Sequence, residues 1–237
     1  MSLQLPLSLG LKDSASFGSY FTGFNNEAVA YLRRSVEKPN TPIIYLWGPR
    51  GAGKSHLLQA VCQGAGEQES AAVYLPMQLA ATFPCAALEG LENVGRVCID
   101  DIDAVATQDG WEDALVRLFL RIHETGGGLV VSGATMPAEL GLNSPQLASR
   151  LAGGLVFQLR PLDERGKLQA LRLRAARRGF KLPMEVARYL VRHFGQDSQA
   201  LFDTLETLDR ASLAAKRKLT LPFIRTVLNS SSTSGGA

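Results

Sequence analysis

Eight consecutive residues have the types and spacing of a loop that binds phosphate groups. They fit the pattern GxxxxGK[ST] at every fixed position: Gly48, Pro49, Arg50, Gly51, Ala52, Gly53, Lys54 and Ser55. Glycines let such a loop curl, so that successive backbone N–H groups point inward at an anion. The lysine would reach the β- and γ-phosphates of a nucleotide, and the serine hydroxyl would hold Mg²⁺. The alternative is a tight turn without a ligand, which the strand-like run before the loop and the helix-like run after it disfavour. The sequence therefore predicts a nucleotide site here, with the adjoining His56 as part of it.

Two acidic residues follow a second strand-like run, residues 97–99. In enzymes with such a phosphate loop, one acid at this place assists Mg²⁺ and another polarises the attacking water. We therefore expect Asp100 to act on the metal through water and Asp101 to be catalytic. The alternative is a solvated acidic cluster at the strand end, which Asp103 would extend.

Five short apolar runs have the features of parallel strands buried on both faces, since they are rich in β-branched residues and barely alternate. They are residues 43–47, 72–75, 96–99, 129–132 and 155–159. Helix-like stretches occur between them, at residues 54–63, 111–125 and 145–151. This alternation predicts an α/β fold, a three-layer sandwich around a parallel sheet.

After Pro161 every further element has helical apolar spacing. The predicted helices are residues 164–178, 184–194, 199–216 and 222–228. They indicate a small all-helical second domain after the α/β domain. The expected divisions are an extended tail at 1–15, the α/β domain at 16–160, the helical domain at 161–229 and a disordered tail at 230–237.

The composition is that of an ordinary globular protein and gives no sign of a disulfide framework, a metal site or a membrane span. Hydrophobic residues make up 46% and charged residues 20%, which is ordinary for a globular protein, and a net charge of +3 is too weak to indicate nucleic-acid binding by itself. The three cysteines have no CxxC spacing and the three histidines no metal-ligand spacing. No signal peptide and no apolar run of the ~20 residues that span a bilayer is evident. We expect a soluble cytoplasmic protein without a membrane partner.

The order of these motifs resembles the AAA+ family, and within it the group of the bacterial initiator DnaA. Three stretches carry the resemblance, residues 145–151, 167–183 and 208–222, and the likeness extends over nearly the whole chain. In that family the helical domain is a lid on the nucleotide domain. DnaA continues into a helix-turn-helix domain, whereas this sequence stops at the lid. The resemblance therefore favours a regulator homologous to DnaA over the initiator itself.

The resemblance also implies roles for particular residues. Arg150 matches the arginine of the Ser-Arg-Leu box, an arginine finger that neutralises charge on a γ-phosphate across an interface; an ordinary exposed arginine is the alternative. Lys167 stands where relatives usually contact nucleotide with an arginine, and it lacks the bidentate fork. Ala134 stands where relatives tend to have an acidic residue. Both departures imply weak hydrolysis of the protein's own nucleotide.

The N-terminal residues 4–9 resemble the peptide by which bacterial proteins dock on the sliding clamp of DNA polymerase III. Pro6 favours an extended backbone, so Leu7 and Leu9 would fill an apolar pocket while Gln4 hydrogen-bonds at its rim. The alternative is an apolar tail or edge strand that packs on its own domain.

The sequence thus predicts a regulator that holds ADP (or ATP) with Mg²⁺, docks on the clamp and stimulates hydrolysis of ATP bound to DnaA, so that replication does not start again. It would meet DNA mainly through the clamp, and a homodimer is left open. One alternative is a self-sufficient AAA+ ATPase of the helicase-loader or initiator type. Another is a DNA-binding factor that uses the basic stretch at residues 160–181, although no helix-turn-helix supports it.

Overall fold

Five parallel strands form one sheet in the computed structural model, which describes residues 15–38, 42–106, 108 and 110–233. The strands are β1 (Ile44–Trp47), β2 (Ala72–Pro76), β3 (Arg96–Asp100), β4 (Gly128–Gly133) and β5 (Leu155–Gln158). Their spatial order is β2-β3-β4-β1-β5, and every pairing is parallel. Each strand lies within a residue or two of the run that predicted it. The α/β prediction is therefore confirmed.

Helices cover both faces of this sheet. They are α1 (Asn26–Glu37), α2 (Lys54–Glu67), α3 (Trp111–Thr125) and α4 (Pro145–Ala152). Helix α1 was not predicted, although Ala28, Val29, Leu32 and Val36 form its buried stripe. A series of short 3₁₀ turns between Met77 and Asn93 was not predicted either.

Successive strand residues point into two different cores. Ile44 and Leu46 pack on the side of α1 and α2, whereas Tyr45 between them packs on the side of α3. Both cores are fully covered, which explains why the strands are apolar at nearly every position and do not alternate with polar residues. This arrangement is the three-layer sandwich that the sequence predicts.

The described residues from Leu162 onward form a second compact unit. Its helices are α5 (Glu164–Arg177), α6 (Met184–Phe194), α7 (Ser198–Ala215) and α8 (Leu221–Thr233), packed around an aliphatic core. The prediction of an all-helical lid is confirmed. Helix α8 continues through Thr233, so the chain is helical over the first four residues of the expected disordered tail, because a helix that has formed propagates through residues of moderate propensity.

Two arginines of the basic stretch at residues 160–181 contact other helices of this unit. Arg178 donates from Nε to Asp209 at 2.7 Å, and the guanidinium of Arg174 lies 3.7 Å from the ring centroid of Phe202. Burial lowers the pKa of Arg174 to about 10. These side chains hold the helices together, which weakens the interpretation of the stretch as a DNA contact. No helix in the described part of the chain is long and apolar enough to cross a bilayer.

Asn25 fastens the segment before α1 to the end of the sheet. Its side-chain nitrogen donates to the carbonyl of Arg160 at 3.0 Å, and its oxygen accepts the Arg160 N–H at 2.9 Å. The same nitrogen donates to the Tyr20 hydroxyl at 3.0 Å. Although Asn25 precedes α1, it does not cap that helix with its side chain. Its side-chain amide instead forms hydrogen bonds with Tyr20 and Arg160.

We expect Asn25→Ala to lower the free energy of unfolding by about 1–3 kcal/mol, because the buried side chain of Asn25 is lost and the backbone N–H and carbonyl of Arg160 lose their partners together. Denaturant unfolding measures the change. The adjacent exposed Asn26 provides the control, and Asn26→Ala should stay within about 0.5 kcal/mol of wild type. Equal stability of the two variants would contradict this role of Asn25.

Candidate functional site

The phosphate loop lies between β1 and α2. At two of its glycines, neighbouring atoms leave no room for a side chain. A Cβ at Gly48 would lie 2.4 Å from the carbonyl oxygen of Leu159, and one at Gly53 would lie 2.6 Å from the ring of Tyr20. Both glycines also have positive φ, +153° and +95°. The glycines of the GxxxxGK[ST] pattern at positions 48 and 53 therefore stand where this backbone excludes a side chain.

Lys54 opens α2 and turns its side chain back onto the loop. Its ammonium group donates to the carbonyl oxygen of Gly48 at 2.8 Å, and the residue is only 9% exposed. Among the described residues no carboxylate lies within ion-pair distance of this nitrogen. No side chain caps the start of α2, so the first backbone N–H groups of the helix are open to an anion. The arrangement has the chemistry of a phosphate cradle.

Asp100 ends β3 and is almost completely buried, at 2% exposure. One carboxylate oxygen accepts the hydroxyl of Tyr74 on β2 at 2.6 Å, and the other accepts the hydroxyl of Ser132 on β4. Strands on both sides therefore hold this side chain. Burial and the nearby Asp100 carboxylate raise the pKa of Tyr74 well above its ordinary value, so Tyr74 remains a donor.

Asp101 follows in the left-handed backbone region, with φ at +53°. Its carboxylate accepts a hydrogen bond from Nε2 of Gln78 at 2.7 Å. Burial and the charge of Asp100 raise the pKa of Asp101 to about 6, while the ammonium of Lys54 opposes the rise. The predicted catalytic acid thus lies near both the cradle and Asp100, and it would be ionised at neutral pH.

Asp103 connects the acidic cluster to the end of β4. Its carboxylate accepts the backbone N–H of Ala134 at 2.9 Å. Ala134 therefore contributes a backbone contact here, and its methyl group offers no polar function to a ligand. Each of the three acids thus accepts a hydrogen bond from the protein, although only Asp100 is buried and Asp103 is exposed to solvent.

The Ser55 hydroxyl and the Asp100 carboxylate are the groups that fit Mg²⁺. This ion takes oxygen ligands and usually combines one or two carboxylates with phosphate oxygens and water. In the described ranges, no cluster of three or more His, Cys, Asp or Glu side chains could hold a metal without such help. The donor set thus fits an ion that arrives with a nucleotide.

The segment before α1 covers the loop from the other side. Tyr20 donates its hydroxyl to the carbonyl of Ala52 at 3.2 Å, and its ring lies 5.4 Å from that of His56. Nε2 of His56 lies 3.0 Å from the carbonyl oxygen of Ser16. His56 therefore anchors this segment beside the cradle. The sequence analysis identified His56 but missed Tyr20, whose position no local motif indicates.

Arg150 lies in the last turn of α4, a helix that α3 holds at its start. The buried Glu112 accepts the backbone N–H groups of Asn143 and Ser144 at 3.1 and 2.6 Å. Ser144 in turn caps the helix by accepting the N–H of Leu147. The Nε atom of Arg150 is buried and has no hydrogen-bond partner among the described residues. Arg150 is a partly buried residue on a fixed helix, and it forms no ion pair with the described residues.

One further predicted site residue belongs to the helical unit. Lys167, on α5, donates its ammonium to the carbonyl of Gly195 at the end of α6, at 2.6 Å. Its role toward nucleotide stays a prediction. Gln4, Leu7 and Leu9 fall outside the described residues.

Several solved structures with this architecture are DnaA replication initiators. Domain III of the DnaA initiation protein from Thermotoga maritima has a TM-score of 0.76 and 21% identity, over 93% of this chain and 98% of that one. AMPPCP-bound DnaA from Aquifex aeolicus has a TM-score of 0.70 and 18% identity, over 84% of this chain and 66% of the DnaA chain. A DnaA bound to AMPPCP and single-stranded DNA has a TM-score of 0.69 and 17% identity, over 84% of this chain and 66% of the DnaA chain.

The fold and the phosphate loop define the class: the chain has the fold of DnaA domain III, an α/β domain with a phosphate loop followed by a helical domain. Residues 163–228 match the family described as Hda, lid domain. The helical unit is therefore similar to the lid of that family over those residues.

We expect Lys54→Ala to weaken ADP binding by about 100-fold or more, because a buried ammonium that meets two phosphates is lost. Calorimetry measures the affinity, and circular dichroism checks that the variant is folded. Lys181→Ala, at an exposed position of the lid, is the matched control and should bind as wild type does. Unchanged affinity in a folded Lys54→Ala protein would refute the assignment of the cradle.

Proposed function

We propose that this protein is a regulator of replication initiation that holds ADP, docks on the sliding clamp and stimulates hydrolysis of ATP bound to DnaA. The observation that carries the proposal is the Hda-type lid at residues 163–228 on an AAA+ body with a complete phosphate loop. The regulator would present Arg150 to the ATP of its partner, so that the initiator returns to its ADP form.

The cradle supports the nucleotide part of the proposal. Gly48 and Lys54 provide an electropositive pocket at the start of α2, and two solved DnaA structures of the same fold contain AMPPCP. Ser55 and Asp100 would hold Mg²⁺, which when bound neutralises phosphate charge. The residues of the cradle bind and orient the diphosphate, and the segment around Tyr20 excludes water from one side of the loop.

Several features of the chain's own site favour action on another molecule. Asp101 is tied to Gln78, and Ala134 offers no polar side chain at the end of β4. Lys167 already donates to Gly195 within the lid. Arg150, by contrast, has a buried Nε without a partner in the described residues. A guanidinium that is fixed but unpaired is suited to anionic oxygens supplied by a partner.

A second candidate is a self-sufficient AAA+ ATPase. The presence of Asp100 and Asp101 beside the cradle favours it, since both acidic functions of a P-loop ATPase are in place. Steady turnover of ATP by the isolated protein, abolished by Asp101→Asn, would select this candidate over the regulator.

We expect Arg150→Ala to lose nearly all stimulation of hydrolysis of DnaA-bound ATP on clamp-loaded DNA, because arginine fingers contribute roughly 10³–10⁵ in rate. The variant should still bind ADP and the clamp. Arg150→Lys should not restore activity, since lysine lacks the planar fork that spans two phosphate oxygens.

Release of labelled phosphate from DnaA measures this effect, with Arg117→Ala as the control at an exposed position of α3. Mixtures of wild type with Arg150→Ala should be active in proportion to the wild-type fraction if the finger acts from single molecules. Full stimulation by Arg150→Ala would disprove the trans-acting mechanism.

We also expect replacement of Gln4, Leu7 and Leu9 by alanine to abolish clamp binding while ADP binding persists. Two leucines contribute about 1.5–3 kcal/mol each when buried, which suits a micromolar peptide contact. Surface plasmon resonance with immobilised clamp measures the loss. Alanine at Ser2 and Ser8 in the same tail is the control, and retention of clamp by the first variant would refute the docking assignment.

A further inference from the structure

The charge of this protein is divided unevenly between its two units. Residues 162–237 contain 14 lysines and arginines against 7 aspartates and glutamates, which gives this part of the chain a net charge of +7. The whole chain has a net charge of +3, so residues 1–161 have a net charge of −4. A basic excess that is confined to one unit indicates a polyanionic partner for that unit.

Part of this excess is used inside the helical unit. The guanidinium of Arg174 lies over the ring of Phe202, and that of Arg178 donates to Asp209. These contacts connect α5 to α7 and stabilise the packing of the helices. The charges that are available to a partner must therefore be sought on other helices of the unit.

The outward face of α6 combines basic side chains with an aromatic ring. The helix buries Val186, Ala187, Leu190 and Val191. Its other face presents Arg188 and Arg192, which lie four residues apart and are therefore neighbours on the helix surface. Both are exposed, and neither forms an ion pair with a described residue. The acid of this helix, Glu185, lies in its first turn, at the opposite end from Arg192.

The ring of Tyr189 connects this face to α8. Its centroid lies 4.1 Å from the ring centroid of His193 and 5.7 Å from the guanidinium carbon of Arg225 on α8. A cation over an aromatic ring is attracted by the electrons of the ring, so Tyr189 holds Arg225 beside α6. Arg225 is exposed and has no ion pair within the described residues, and the sequence of α8 contains no acid.

We propose that Arg188, Arg192 and Arg225 around Tyr189, the α6–α8 basic face, bind the phosphate backbone of double-stranded DNA. Arginine presents a planar fork that matches phosphate oxygens, and tyrosine hydroxyls also donate to phosphates. Protein surfaces that bind DNA are much more positively charged than those that bind proteins, which favours DNA as the partner. The inference rests on the proposed function in one respect, that the protein works on clamp-loaded DNA. Contacts to phosphates do not read sequence, so the binding is independent of sequence.

Fluorescence anisotropy with a short labelled duplex, in the absence of clamp and DnaA, tests the proposal. The affinity of wild type should fall as salt rises, because each phosphate contact contributes about 0.9 to the slope of log affinity against log salt. Replacement of Arg188, Arg192 and Arg225 by alanine should weaken binding and flatten the slope by about 2.7, which corresponds to about 40-fold in affinity between about 50 and 200 mM salt. Replacement of the same residues by lysine should keep most of the slope, since the charge is retained.

The matched control replaces Arg165, Arg172 and Arg177 by alanine, which removes the same charge from exposed positions of α5. Its slope should stay close to that of wild type. Equal losses in the two alanine triples would overturn the proposal, because the general charge of the unit would then explain the binding. Circular dichroism checks that each variant is folded.

The wild-type protein decides the matter even if the alanine triple does not fold, since an undetectable or salt-independent affinity for the duplex would overturn the proposal. Displacement by polyglutamate as effective as displacement by unlabelled duplex would assign the face to an acidic protein instead. Stimulated hydrolysis of DnaA-bound ATP by a protein without duplex affinity would overturn this inference alone. Duplex binding through the α6–α8 basic face without such stimulation would support it and count against the proposed function.

Discussion

The buried ammonium group of Lys54 is the constraint on which the rest of the site depends. A charge at 9% exposure is costly unless it is paired or hydrogen-bonded, and its bond in this structure goes to the neutral carbonyl of Gly48. The loop therefore has to curl back over the lysine, which only glycine permits at Gly48 and Gly53. An anion at the start of α2 would satisfy the lysine and the uncapped helix together.

The charge of Lys54 also affects the pKa of an acid beside the cradle. It opposes the rise in the pKa of Asp101 that burial and Asp100 cause. Asp100 is in turn held by hydroxyl groups from both neighbouring strands. Asp100 and Asp101 both accept hydrogen bonds from protein donors, which supports the proposal that the site holds a nucleotide rather than hydrolysing it. Arg150, fixed by the capped helix α4 and unpaired at Nε within the described residues, is the group that we propose acts on a partner's nucleotide.

The sequence predicts best the features that runs of adjacent residues encode. The five strands, the loop between β1 and α2 and the acids that end β3 are such runs, so their positions could be predicted from spacing alone. The hydrogen bonds of Tyr74 and Ser132 with Asp100 could not be predicted, because they depend on the order and register of three strands. The role of Asn25 could not be predicted either, because its partner, Arg160, lies 135 residues further along the chain. The resemblance identified Arg150, but only the structure shows how Glu112 and Ser144 fix its helix.

The claim that this protein acts on a partner's nucleotide is tested most directly by following which nucleotide is hydrolysed. Labelled ATP is bound to DnaA while this protein carries unlabelled nucleotide, and the labels are then exchanged, with clamp-loaded DNA present in both reactions. The account predicts rapid release of labelled phosphate only when the label is on DnaA. Release at a comparable rate from label carried by this protein, with none from DnaA, would contradict it.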